Sequence, residues 1–110
     1  MKALIATHTQ SNDWNLDSIC ETLKQYIPEV KVHYGVKTLG IFGSFVREEA
    51  TTSSDLDLLV EFEEVPTFRK YMDLKFFLED LFNRPVDLVI EDDIKPLIRQ
   101  QILREVVYVS

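Results

Sequence analysis

At 110 residues the chain is the size of one modest domain. With 45% hydrophobic and 28% charged residues it has globular composition, which excludes a disordered polymer. Acidic residues outnumber basic ones 19 to 12, a formal net charge of −7. That balance excludes a broad nucleic-acid-binding face and suits cation binding or docking to a basic protein surface.

No apolar run approaches the roughly 20 residues needed to span a membrane, so no membrane contact is expected. Met1-Lys2-Ala3-Leu4-Ile5-Ala6 is too short an apolar stretch for a secretory signal. Cys20 stands alone, without an internal disulfide partner, and a cytoplasmic location is expected.

Residues 1–15 are weakly patterned and read as an N-terminal arm or extra strand, with the folded domain over 16–110. Leu16 to Tyr26 carries Ile19, Leu23 and Tyr26 at helical spacing, Pro28 is expected to interrupt or restart that helix, and Gly35 suits a cap. Thr38 to Phe42 reads as a short buried strand running into Gly43-Ser44. One or two helical turns are expected over Phe45 to Ala50, then a polar loop over Thr51 to Ser54. Asp55 to Phe62 is a strong strand, and Thr67 to Phe82 a helix with Tyr71, Leu74, Leu78 and Leu81 on one stripe. Its further aromatics, Phe68 and Phe76 among them, fall on more than one face and suggest a partner surface. Arg84-Pro85 breaks the helix before a second buried strand, Val86 to Ile90. Ile94, Leu97, Ile98 and Ile102 mark a last helix, and Val106 to Val109 a strand or packed tail. The alternation predicts an α/β (α+β) domain: a small mixed β-sheet flanked by helices.

Asp55 and Asp57 are two positions apart on a strand, so both carboxylates leave the same face, with their Cα atoms about 6.5–7 Å apart. Leu56, Leu58 and Val60 take the opposite face, toward the core. Paired carboxylates on a packed strand repel each other, and a hard cation such as Mg²⁺ relieves that repulsion. The same tripeptide also suits a strand whose outer face is simply wet. Asp87 is the single charge in Val86-Asp87-Leu88-Val89-Ile90. If its strand lies beside that of Asp57, three acids converge, enough for two ions about 3.5–4 Å apart and in-line nucleotidyl displacement. An acid on an edge strand is the plainer alternative for Asp87. Gly43 allows close backbone approach, and Ser44 suits a helix N-cap whose free N–H groups would bind phosphate. A plain strand-to-helix turn has the same residues. Trp14, His8 and His33 have no metal-site spacing and read as surface or core packing.

Gly43-Ser44, ten residues, then Asp55-Leu56-Asp57 resembles the signature of the DNA polymerase β-like nucleotidyltransferases. The run from Leu39 to Arg47, that from Ser54 to Phe62, Arg84-Pro85-Val86-Asp87-Leu88-Val89, and the stretch from Lys95-Pro96 to Val109 look like the minimal nucleotidyltransferases of bacteria and archaea. The resemblance implies that Gly43 and Ser44 cradle NTP phosphates, that Asp55 and Asp57 ligate Mg²⁺, and that Asp87 is the third carboxylate, acting on the acceptor hydroxyl. Arg47 is placed to contact a phosphate or solvent. Relatives usually read Arg-Gly-Glu after the turn; Arg47-Glu48-Glu49 here brings a side chain and a negative charge toward the phosphate site. The implied function is transfer of AMP from ATP, with two Mg²⁺ ions, onto a protein acceptor. That acceptor would be a tyrosine of a HEPN-type toxin, with which the chain would form a hetero-oligomer as antitoxin. Two other readings stand beside it: a non-catalytic antitoxin that neutralises its partner by occlusion, and nucleotidylation of a small molecule, which normally needs an additional acceptor-binding domain that is not expected within 110 residues.

Overall fold

A computed structural model describes residues 14–110. Apart from Trp14 and Asn15, the arm or extra strand expected over 1–15 lies outside the described residues, as does His8. Helix α1 spans Leu16–Tyr34 and starts at a capping box. The Asn15 side chain accepts the Ser18 N–H at 2.9 Å, and the Ser18 hydroxyl accepts the Asn15 N–H at 3.0 Å. Gly35 ends the helix in the left-handed region, at φ 68°. The interruption expected at Pro28 does not occur, and α1 runs through it. Pro28 is on the exposed face, so the carbonyl it strands can meet water, while Leu23 and Val30 anchor the helix on either side.

Strands β1 (Val36–Phe42), β2 (Leu56–Phe62), β3 (Val86–Ile90) and β4 (Val107–Tyr108) form one sheet in the order β3-β2-β1-β4. Neighbours β1 and β2 are antiparallel, as are β1 and β4; β2 and β3 are parallel. A parallel pair needs a crossover, supplied by α2 (Phe68–Phe82). Thr67 caps α2 by accepting the Lys70 N–H, and Asn83 closes it at φ 53°. Helix α3 (Pro96–Glu105) leads into β4. No helix among the described residues is long and apolar enough to cross a membrane.

The alternation of β2 divides the core. Leu56, Leu58 and Val60 face α1 and α2, where Ile19, Leu23, Leu74, Leu78 and Phe82 complete the main cluster. The other face bears Asp57, Leu59 and Glu61, so it is no plain wet surface: Leu59 is buried with Phe42 and Ile102 of α3. The stripe expected on α2 faces the core: Leu74 and Leu78 are buried, Tyr71 and Leu81 pack half-buried against the same cluster, and Phe82 joins it fully buried. Along α3 only Ile102 is buried; Leu97 is 84% and Ile98 52% exposed, because this short helix covers just the end of one sheet face.

Candidate active site

Gly43 follows directly on β1 and takes φ 80°. A Cβ there would lie 2.0 Å from the Asp57 Oδ2, so both backbone and space demand glycine. The turn is one 3-10 turn over Gly43–Phe45, followed by irregular turns, and the helix expected over Phe45 to Ala50 does not form. The Val46 and Arg47 N–H groups both donate to the Gly43 carbonyl, and Glu48 then takes φ 61°, which cannot continue a right-handed helix. Ser44 is therefore no helix N-cap, and a helix dipole contributes nothing at this turn.

Asp57 stands in register with Phe42 of β1 on one side and Asp87 of β3 on the other. Adjacent strands are about 4.8 Å apart, so the two acids are near neighbours on the face that α3 partly covers. Among the described residues β3 is an edge strand, and Asp87 is exposed on it. An open cleft of about 660 Å³ runs between the sheet and α3, lined by Gly43, Arg47, Asp57 and Asp87, with Ile98 and Glu105 contributed by α3. Burial, then the charges of Asp87 and Asp55, push the Asp57 carboxyl up to about 6, against the pull of Arg47.

Convergence is thus narrower than a three-acid cluster. Asp55 is exposed just before β2 and acts on Asp57 through its charge, without lining the cleft. Ser44 is half-buried on the turn and likewise outside the lining. Among the described residues no three His, Cys, Asp or Glu side chains are grouped closely enough to hold one ion. Asp57 and Asp87 nonetheless suit a hard divalent cation: both are oxygen donors, and their repulsion is what a positive charge would relieve. Mg²⁺ commonly takes one or two carboxylates and completes its shell with water and phosphate.

Glu48 departs from its expected place. It is exposed and lines a separate depression with Trp14, Leu16 and Phe45, away from Asp57 and Asp87. A residue without an assigned role enters instead. Glu105, at the end of α3, accepts the Gly43 N–H at 2.7 Å and the Arg47 Nη1 at 3.1 and 3.2 Å. The only signal in the sequence was an acid just before the terminal apolar strand, which is too common to single out.

The nucleotidyltransferase domain family matches residues 23–109. The protein adenylyltransferase MntA of Thermococcus cleftensis is 44% identical over 94 residues, covering 86% of this chain and 95% of the relative. A solved structure described as a minimal nucleotidyltransferase superposes with a TM-score of 0.73 at 36% identity, over 86% of this chain and 96% of its own. A complex of a tri-AMPylated Shewanella oneidensis HEPN toxin with an MNT antitoxin superposes with a TM-score of 0.56 at 19% identity, over 86% and 67%, a likeness of fold. The chain belongs to the nucleotidyltransferase domain family, among its minimal members.

Proposed function

We propose that this chain is an Mg²⁺-dependent protein adenylyltransferase that moves AMP from ATP onto a tyrosine of a HEPN-type toxin and so acts as its antitoxin. The observation that carries the reading is the register of Asp57 with Asp87 beside the Gly43 turn, at an open cleft. The name of the Thermococcus relative and the AMPylated toxin in the Shewanella complex support the chemistry and the partner. Asp57 and Asp87 would hold the metal, with Asp55 adding its charge from just outside the cleft, and Mg²⁺ held there would neutralise charge on the phosphate oxygens. Gly43 lets the phosphates approach, the Ser44 hydroxyl donates to them, and Arg47 adds positive charge. The tyrosine oxygen attacks the α-phosphorus, the bond to pyrophosphate breaks, and the tyrosine proton passes to Asp87.

Labelled ATP, Mg²⁺ and the partner encoded beside this chain test the reading. AMP should appear on a partner tyrosine with the wild type and be absent with Asp57→Asn. Absence of transfer by the wild type overturns it. Neutralisation of the partner by an Asp55→Ala, Asp57→Ala double variant, without transfer, would establish occlusion instead.

A further inference from the structure

The Glu105 carboxylate touches two groups of the phosphate turn at once, the Gly43 N–H and the Arg47 guanidinium. It reaches them from the far end of the chain, where α3 passes into β4. The Gly43 contact, at 2.7 Å, is a charge-assisted hydrogen bond to a backbone group, shorter than the usual N–H···O distance. The Arg47 side chain is 48% exposed and long enough to spread over many rotamers. Glu105, with Glu49 on Nε, confines it at the mouth of the cleft. We propose that Glu105 is a positioning residue for nucleotide binding: it fixes the Gly43 peptide against Asp57 and aims the Arg47 guanidinium into the cleft. The inference rests on nucleotide binding at this turn. The same contacts would arise if Glu105 merely occupied the place of a phosphate, and the two roles predict opposite effects on affinity.

The test is ATP affinity by calorimetry for the wild type, Glu105→Gln, Arg47→Ala and the double variant. Gln keeps an acceptor for the Gly43 N–H but loses the charge that holds Arg47. Glu105→Gln should weaken ATP about tenfold, the scale of one charged hydrogen bond. Arg47→Ala should then cost little more in the Glu105→Gln background, because one acts through the other. Tighter or unchanged ATP binding by Glu105→Gln overturns the proposal, as does strict additivity of the two substitutions, the mark of a merely structural role. Hydrogen exchange at the Gly43 amide, without nucleotide, supplies a second readout with Glu105→Ala. Exchange should accelerate at least tenfold, and an unchanged rate overturns the brace. If the wild type binds no ATP, the nucleotide reading fails by itself, and Gly43 exchange still decides whether Glu105 holds the turn.

Discussion

Gly43 and Asp57 are packed so closely that a single methyl group on Gly43 would fall 2.0 Å from the Asp57 carboxylate oxygen. Gly43 also holds φ 80°, where L side chains are strained. Gly43→Ala combines both faults, and unfolding free energy should drop by about 2–4 kcal/mol from backbone strain plus overpacking. Urea denaturation at pH 7 measures this. A Gly43→Ala protein as stable as the wild type would mean that the turn and Asp57 separate freely.

Asp57 sits under strain of a different kind. Its carboxyl is raised from 3.8 to about 6, first by burial and then by Asp87 and Asp55. A raised carboxyl favours folding in its protonated form; that contribution is complete below about pH 4 and lost as pH rises through about 6. At pH 7 the ionised group opposes the fold when no cation is present. Asp57→Asn removes the charge with little change of shape, so metal-free stability at pH 7 should rise by about 1 kcal/mol, after discounting for solvent screening. The gain should vanish at pH 4, while AMP transfer is abolished. Urea melts at the two pH values in chelator, compared with the wild type, check the sign.

Glu48 occupies the left-handed region at φ 61°, at the position where the family pattern has glycine. Glu48→Gly relieves about 1–2 kcal/mol of backbone strain and loses part of that to the greater freedom of the unfolded chain, for a net gain of about 0.5–1 kcal/mol. Because Glu48 lines a different depression from Asp57, ATP affinity should stay within twofold of the wild type. A large rise in affinity would show that the Glu48 charge does reach the phosphates.

Much of the sheet was legible from side-chain alternation and punctuation. The β2 pattern placed Leu56, Leu58 and Val60 inward, and the apolar run from Val86 to Ile90 marked a second buried strand. Periodicity failed where tertiary context decided. Pro28 was a sound break signal locally, but packing of Ile19, Leu23 and Val30 held one helix through it. Leu97 fits a helical stripe yet faces outward, and Ile98 lines the open cleft instead of joining the core, since apolarity alone does not say which surface a short helix covers. In the site, the strands of Asp57 and Asp87 could each be read, while their pairing stayed conditional until the register showed it. Glu105 could not, because its contact with Gly43 closes over most of the domain and no local pattern encodes it.

Arg84 ties together three segments that the proposed chemistry uses. Its guanidinium lies 4.9 Å over the Phe45 ring, one residue beyond Ser44, and its Nη1 donates to the Ser54 carbonyl at 2.8 Å, one residue before Asp55. Pro85 and the strand bearing Asp87 follow immediately. The planar group can stack on the ring with its face while donating along its edge. A lysine ammonium has one compact charge and cannot do both in one geometry. Arg84→Lys should therefore destabilise the fold by about 1–3 kcal/mol, the scale of losing either the cation–π contact or the charged hydrogen bond. Because the loosened segments carry Ser44 and Asp55, AMP transfer should fall about tenfold even at temperatures where the variant remains folded, since small misplacements of binding groups are costly. Thermal unfolding followed by a transfer assay well below the transition separates the two effects. A variant that is destabilised yet transfers at the wild-type rate would confine Arg84 to holding the fold.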